Sequence, residues 1–367
     1  MGVSAVIVSI VISLFFIIMS IVFAFAVPNI KREWKFLDKK HTDSIRGIAI
    51  LMVVLSHILQ WTKESGLVIG GMRAIVGSFG AIGVAVFFFL SGYGNYLSLS
   101  KSLQVRSIIQ KTTKHIFRVI CVFIISFVFV AIARIILTYV FYIDSVTLQD
   151  LGRAFVHFRM VGEVTWYIKV QILFYIISAI AFIIVPSRYR NVCILILTMV
   201  YVAVAKIFNL ADYWWKTAMC FPMGALFAQY RDRLYLYIRI RKEACFGFFT
   251  VLAMLAYIWI LFDKNQVMIL QLVAFAILGI TISMLGSILQ ISWKPLCLLG
   301  KASLPIYLVH VGLAASVLGS SINTNIKVSI FIILTVCFSV MVYFLDSFVT
   351  KQMKNFRRKF GGNLTLH

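Results

Sequence analysis

Long blocks of apolar residues alternate with short polar segments along the whole chain. A helix that crosses a lipid bilayer needs about 20 predominantly apolar residues. Eleven blocks meet this criterion, near residues 4–27, 45–62, 77–97, 117–142, 166–186, 191–208, 212–229, 244–262, 267–290, 303–320 and 326–349. The pattern therefore predicts an all-α polytopic membrane protein with about eleven transmembrane helices.

The basic residues between the blocks predict the orientation of the chain. Cytoplasmic loops of membrane proteins are enriched in Lys and Arg. Every second loop, beginning with the one after the first block, is basic, and these loops with the C-terminal tail hold 25 of the 35 Lys and Arg residues. We therefore place the N-terminus outside and the C-terminus in the cytoplasm. The first block is followed, not preceded, by positive charge, which favours an uncleaved anchor over a signal peptide.

Composition agrees with a membrane protein and argues against other classes. Of the 367 residues, 62% are hydrophobic and 13% are charged, which is unlike a soluble protein. The net charge of +23 is explained by basic cytoplasmic loops, so we predict membrane lipid and no nucleic acid as a partner. The six cysteines are scattered without a CxxC pair, so we predict no disulfide framework and no metal site.

Polar residues inside the apolar blocks are candidates for function, because ionisable side chains are costly within a membrane. In "DSIRGIAILMVVLSH", Arg46 and His57 are eleven residues apart. That spacing puts them on one helix face, about 16 Å apart along the axis. Arg46 is predicted at the cytoplasmic rim and His57 deeper in the membrane. The alternative is an imidazole that hydrogen-bonds a neighbouring carbonyl or hydroxyl and only packs helices.

A second polar stripe lies near the C-terminal end, in "GKASLPIYLVH". Ser303, Tyr307 and His310 are spaced at i, i+4 and i+7, which is one helix face. Pro305 falls in the first turn of the predicted helix, where its missing N–H costs little. Entered from the cytoplasm, this helix carries His310 to a depth similar to that of His57.

Two further stretches lie at the cytoplasmic ends of their blocks. "FFFLSGYG" contains Ser91 between small residues that allow close helix packing. "KHIFRV" places Lys114 and Arg118 one helical turn apart. The two basic residues form either a second basic rim or ordinary cytoplasmic flanking charge.

The stretch "EVTWYIKVQILFY" enters its block from the predicted outer side. Glu163 and Trp166 lie near its start, and Lys169 and Gln171 lie deeper. Trp166 also fits an aromatic belt at the membrane interface. Arg134, near the outer end of another block, is expected to extend its side chain to the interface.

These stretches resemble the motifs of the family-3 membrane acyltransferases, which O-acetylate polysaccharides and other surface glycans. "DSIRGIAILMVVLSH" is similar to the family's first-helix signature, "FFFLSGY" to its FFxLSGF stretch, and "SLPIYLVH" to its late Ser…Tyr-Leu…His stretch. "KHIFRV" resembles the basic RxxR-like stretch with Lys114 in place of the leading Arg, and "TWYIKVQILFY" is a looser match to the Trp-Phe/Tyr-Leu segment. Family members often carry an acidic residue near the position of Gln171.

The resemblance covers roughly residues 43–349 and implies a core of ten helices, to which this chain adds one N-terminal helix. We accordingly expect an N-terminal transmembrane anchor with a basic cytoplasmic loop over residues 1–42. The membrane acyltransferase domain is expected over 43–349, and a basic cytoplasmic tail over 350–367.

The resemblance also implies an acyl-CoA donor, most often acetyl-CoA, which is a co-substrate and not a permanently bound cofactor. The residues expected to bind the donor are Arg46, Lys114, Arg118 and Ser91, with Asp43 positioning Arg46. His57 would act as the base on a sugar hydroxyl or carry the acyl group transiently. The residues expected to stabilise the oxyanion or orient His57 are His310, Tyr307 and Ser303. Those expected to meet the acceptor are Glu163, Trp166, Lys169 and Gln171.

The implied acceptor is a surface polysaccharide or its lipid-linked oligosaccharide precursor, at the plasma (inner) membrane of a bacterium. Two other functions fit a basic polytopic protein, namely a glycan exporter or flippase and a polysaccharide polymerase. An exporter does not require a stripe from Arg46 to His57, and a polymerase usually carries a larger outer loop. A non-enzymatic membrane scaffold is the remaining alternative.

Overall fold

The computed structural model describes residues 35–62, 70–102, 104–142, 144–160, 165–263 and 267–360. Over these residues the protein is all-helical and contains no strands. The first predicted block, 4–27, and the predicted acceptor residue Glu163 lie outside the described residues.

The α-helices of the described residues are α1 Lys39–Trp61, α2 Gly70–Ser100, α3 Val105–Tyr139, α4 Leu148–Val156, α5 Trp166–Ile184, α6 Arg190–Ile207, α7 Cys220–Gln229, α8 Arg231–Ile240, α9 Lys242–Phe262, α10 Met268–Ile288, α11 Lys294–Lys301, α12 Ser303–Leu313 and α13 Thr324–Phe360. Short 3-10 turns, Ser187–Tyr189 and Asp212–Trp214, precede α6 and α7. A π-helical turn, Ala314–Leu318, follows α12.

Eight helices of the described residues are long and apolar enough to cross a membrane, namely α1, α2, α3, α5, α6, α9, α10 and α13. Helices α11 and α12, which are bent by 66° at a short break, pass the same test as a pair and would give a ninth span. The predicted total of eleven is not confirmed, and neither is the predicted orientation.

The block at 212–229 differs most from its prediction. Its helix, α7, has 10 residues, which is half the length a membrane span needs. Asp212 and Lys216 form an ion pair at 2.7 Å in the first part of the block. Turns replace the helix over these polar residues, so only the apolar second part of the block is helical.

The described residues fall into two compact units, one within Met1–Ile116 and Trp166–Ser303 and the other within Phe117–Thr165 and Leu304–His367. In the first unit, α1 begins at a defined cap, because the Asp38 side chain accepts a hydrogen bond from the His41 N–H at 2.9 Å. Helix α1 packs antiparallel against α2. The Ser56 hydroxyl donates to the Gly77 carbonyl at 2.9 Å, and Gly83 lies against the Ala49 backbone.

Glycines bring the helices of the first unit into backbone contact. A Cβ atom on Gly92 of α2 would lie 2.0 Å from the carbonyl oxygen of Phe221 in α7. A Cβ atom on Gly300 of α11 would lie 1.7 Å from the carbonyl oxygen of Asp43 in α1. Only glycine permits these approaches, so α2 with α7 and α1 with α11 are held at short interhelical distances.

In the second unit, the segment after α3 folds back onto that helix. The rings of Phe123 and Phe158 lie 3.9 Å apart, and the rings of Phe127 and Phe155 lie 5.3 Å apart. Arg134 binds the Asp144 carboxylate through two nitrogens at 2.6 and 3.0 Å.

Arg134 therefore reaches a partner beyond the end of its own helix, and its expected extension to the interface stays a prediction. Both Arg134 and Asp144 are buried, with side chains 7% exposed, and the carboxylate compensates the buried guanidinium. The acidic partner lies ten residues further along, beyond the end of the apolar block, where the hydrophobic pattern gives no reason to pair it with Arg134.

We predict that the two glycines of "SGYG" differ sharply in their tolerance of alanine. Gly92→Ala should lower stability by about 1–3 kcal/mol, because α2 and α7 must move apart to admit the methyl group. A Cβ atom on Gly94 would meet no neighbouring group of the described residues within 4 Å, so Gly94→Ala should be neutral or slightly stabilising. Thermal unfolding of the purified variants in one detergent measures the difference, and equal midpoints would contradict the packing role of Gly92.

Candidate functional site

Three helices of the first unit bring polar side chains together around Tyr167. The Tyr167 hydroxyl is hydrogen-bonded to Ser91 of α2 and interacts electrostatically with Arg46 of α1. The Tyr167 ring packs against Phe87 and Phe88, with centroids 6.0 and 5.0 Å away. Two residues predicted for the donor site, Arg46 and Ser91, thus share a neighbour that sequence reasoning did not select.

Asp43 and Arg46 occupy the start of α1. The Arg46 guanidinium lies 3.5 Å from the Asp43 carboxylate, and the Arg46 side chain is 31% exposed whereas that of Asp43 is 6% exposed. Lys301 of α11 also interacts electrostatically with Asp43. Lys39 does so as well, and a buried, charge-compensated carboxylate beside a partly exposed guanidinium is suited to orient Arg46 while leaving N–H groups for an anion.

His57 lies eleven residues after Arg46 on the same continuous helix, α1. The axial separation is therefore the one predicted, about 16 Å. The imidazole is partly buried, and the neighbouring Ser56 is bonded to α2. Its role as a base stays a prediction.

Trp166 packs within a cluster of aromatic side chains. Its ring lies 5.7 Å from Tyr213, 6.3 Å from Trp214 and 6.4 Å from Phe88. Phe88 lies past the midpoint of α2, so α5 begins beside the body of that helix. The side chain of Trp166 is partly exposed and could still contact an acceptor through one edge.

The next turns of α5 carry the other predicted residues of this segment. Lys169 is partly buried. Gln171 is 4% exposed, and neither its Oε1 nor its Nε2 has a hydrogen-bond partner among the described residues. One turn further, the Tyr175 ring lies 5.5 Å from the His115 ring of α3. Polar groups therefore continue along α5 from Tyr167 towards the start of α3.

The late stripe lies on one helix, α12, directly after its bend from α11. Ser303 begins α12 and belongs to the first unit, whereas Tyr307 and His310 belong to the second. His310 is fully buried, and its Nδ1 lies 2.7 Å from the Ile306 carbonyl oxygen. Donation from Nδ1 would make Nε2 the basic nitrogen of a neutral imidazole.

A π-helical turn begins four residues after His310, at Ala314. Such turns are frequent at functional sites. The Tyr307 ring stands edge-on to the imidazole, with centroids 5.7 Å apart. The roles assigned to Ser303, Tyr307 and His310 stay predictions.

The two basic residues of "KHIFRV" have different surroundings. Lys114 is exposed, and its ammonium group forms no ion pair with the described residues. Arg118 binds the Asp346 carboxylate of α13 at 3.2 Å, with Arg118 61% exposed and Asp346 6% exposed. Sequence reasoning missed Asp346, although an acidic residue within the last apolar block was a usable signal.

The types of polar side chain that the structure groups together indicate which interactions they can make. In the described part of the chain, no three His, Cys, Asp or Glu side chains are grouped so as to hold a metal ion. The polar groups that the structure does bring together are hydroxyl, guanidinium, imidazole and carboxamide groups. These groups bind anions, exchange protons and orient polar substrates.

We predict that Arg118→Ala lowers stability, whereas Lys114→Ala does not. Removing Arg118 leaves the buried Asp346 carboxylate uncompensated, and the partial exposure of Arg118 limits the expected cost to about 1–2 kcal/mol. Thermal unfolding of both purified variants makes the comparison. Equal loss of stability, or none for Arg118→Ala, would show that the pair has no structural role.

Comparison with protein families identifies an acyltransferase domain. The family 3 acyltransferase domain matches residues 41–344, from the first turn of α1 into α13. Comparison with curated proteins gives no match, and comparison with solved structures gives none. Since the match covers most of the chain and includes the cluster of Arg46, Ser91 and Tyr167, the protein belongs to the family 3 acyltransferases and is a membrane acyltransferase.

Proposed function

We propose that this protein transfers an acyl group from cytoplasmic acyl-CoA to a hydroxyl of a surface glycan or its lipid-linked precursor. Acetyl is the acyl group that we expect. The observation that carries the proposal is the placement of an anion-binding group and an imidazole on one helix of the acyltransferase domain. Arg46 lies in the polar cluster, and His57 lies about 16 Å further along α1.

The donor chemistry explains why these two residues are so far apart. Acyl-CoA carries its phosphates at one end and its thioester at the other, joined by the pantetheine arm. Arg46 at one end of the stripe would bind phosphate through charge-assisted hydrogen bonds. An extended pantetheine arm is comparable in length to the separation of Arg46 from His57, so the thioester would reach the imidazole.

His57 would act on the hydroxyl of the acceptor. A neutral imidazole nitrogen takes the hydroxyl proton while the oxygen bonds to the thioester carbonyl carbon. The carbon–sulfur bond then breaks, and the imidazolium returns the proton to the leaving thiolate. In the covalent variant, the imidazole nitrogen bonds to the thioester carbonyl carbon and the CoA thiolate leaves. The acceptor hydroxyl then takes the acyl group from the imidazole, and its proton passes to the thiolate.

The acceptor would approach from the side of α5. Trp166 presents an aromatic edge suited to a sugar ring, and Lys169 one turn on is suited to an acidic group. Because the substrate would be a surface glycan, we place the protein in the plasma membrane of a bacterium. Export of the glycan and polymerisation of lipid-linked repeats are the competing functions, and the experiment below separates them.

We predict that His57→Ala abolishes acylation without abolishing the glycan. General base catalysis contributes about 100-fold or more, so the acyl signal should fall at least that far. NMR of the surface polysaccharide, from strains with matched protein expression, compares wild type, deletion and His57→Ala.

His157→Ala serves as the matched control, because His157 is exposed on the other unit and, among the described residues, bonds within its own segment, to the Arg153 carbonyl at 2.8 Å. Its acyl signal should equal that of wild type. A polymer that vanishes on deletion and returns fully acylated with His57→Ala would refute the proposed role of His57 and favour an exporter or polymerase.

A further inference from the structure

Two buried carboxamides in the first unit have no hydrogen-bond partner among the described residues. Asn95 of α2 is 3% exposed and Gln171 of α5 is 4% exposed. None of the four side-chain polar atoms of these two residues is bonded to any group in the described ranges. Folded proteins rarely leave both edges of a buried carboxamide unsatisfied, because the lost hydrogen bonds to water are not replaced.

The two carboxamides lie along the line of contact between α2 and α5, which forms a seam between these helices. Contacts of Phe88 with Phe174 and of Tyr96 with Phe182 show that α2 and α5 run side by side in the same direction. The hydrogen bond between Ser91 and Tyr167 joins the two helices. Asn95 follows Ser91 by one turn, and Gln171 follows Tyr167 by one turn. Both carboxamides therefore lie just beyond this hydrogen bond.

The seam extends away from His57. Because α1 and α2 are antiparallel, with Ser56 beside Gly77 and Ala49 beside Gly83, later residues of α2 lie further from His57. Asn95 and Gln171 are thus on the side of Arg46 that is remote from the imidazole. Aromatic rings continue the seam one turn further, where Tyr175 meets His115.

We propose that Asn95 and Gln171 form the subsite for the adenine base of the donor. This inference rests on the proposed function, which puts the phosphates of acyl-CoA at Arg46 and its thioester at His57. The nucleoside must then lie beyond Arg46 on the side away from His57, where the two carboxamides are.

The chemistry of the carboxamide matches the edge of adenine. Adenine presents an N6 amino donor beside a ring nitrogen acceptor, and the side chains of Asn and Gln bind this pair with their carbonyl oxygen and amino group. Two carboxamides therefore satisfy either both edges of the base or one edge and the ribose. The rings of Tyr175 and His115 provide aromatic surface for a stacked base.

The pantetheine arm also contains amides, but its position excludes it from this subsite. Amides of the arm lie close to the thioester sulfur. If they were bound by Asn95 and Gln171, the thioester would stop near Arg46, roughly 16 Å short of His57 along α1. Gln171 was expected to contact the acceptor, and this placement assigns it to the donor instead.

The test uses the purified full-length protein in lipid nanodiscs and the displacement of tritiated CoA. The competitors are adenosine 3′,5′-bisphosphate, the corresponding inosine bisphosphate, and pantetheine. Inosine replaces the N6 amino donor with an acceptor oxygen. Wild type should bind the adenosine competitor about tenfold or more tightly than the inosine competitor.

Asn95→Leu and Gln171→Leu should each weaken binding of adenosine bisphosphate by about tenfold. The affinity for pantetheine should stay unchanged in both variants. Replacing an unsatisfied carboxamide with an apolar side chain should also preserve or raise the unfolding temperature of the ligand-free protein.

Gln271→Leu is the matched control. Gln271 is also buried, 7% exposed, on α10 of the same unit, but its Nε2 donates to the Asp263 carboxylate at 3.3 Å. This variant should lower the unfolding temperature and leave the preference for adenosine unchanged.

Three outcomes overturn the inference. Wild type that binds both bisphosphates equally has no adenine subsite, and this result does not depend on the folding of any variant. Leucine variants that still prefer the adenosine to the inosine competitor show that the carboxamides do not recognise the base. Variants that bind pantetheine more weakly, with binding of adenosine bisphosphate unchanged, show the same. In each case, wild-type binding of CoA leaves the proposed donor intact. Absence of CoA binding by wild type would refute the proposed donor together with the subsite.

Discussion

Backbone contact between helices is the constraint on which the first unit depends. Gly300 admits the carbonyl of Asp43, and Gly92 admits that of Phe221, so α11 and α7 fix α1 and α2 at their closest points. Within lipid, helices gain little from burying apolar surface, and close packing of small residues is what holds them together. The same contacts set the positions of Arg46 and Ser91, which lie three residues after Asp43 and one residue before Gly92. The same short motifs thus hold both the packing glycines and the candidate site residues.

Some polar side chains in this unit have a hydrogen-bond or charge partner within the described residues, and others have none. Asp43 is compensated by Arg46 and Lys301, and Ser91 is bonded to Tyr167. Asn95 and Gln171, one turn away, are left without partners in the described residues. An unsatisfied buried carboxamide lowers stability, so these two side chains are the ones proposed above to bind a substrate group. This contrast separates structural polar groups from candidate binding groups more clearly than residue type does.

Periodic features were predictable from sequence, and features set by tertiary contact were not. The spacing of Arg46 and His57 depends only on the continuity of α1, and most apolar blocks became helices. Asp346 was missed because an ion pair with Arg118 joins residues 228 positions apart. Tyr167 was overlooked because an aromatic residue at the start of an apolar block also fits an interface belt. Its hydrogen bond to Ser91 depends on where α5 begins relative to α2, which no local pattern records.

The continuity of α1 gives the proposed reaction a way to convert binding energy into catalysis. Phosphate and nucleoside groups of the donor are not consumed, yet Arg46 and the seam beyond it would bind them. A continuous helix holds the imidazole at a fixed distance from Arg46, so under the proposed function energy gained at the nucleotide end would restrict the thioester to the neighbourhood of His57. Interactions with such remote groups raise the rate of the chemical step as well as affinity. A donor shortened at the nucleotide end would therefore lose reaction rate even at saturating concentration, since nothing else would hold its thioester against the imidazole.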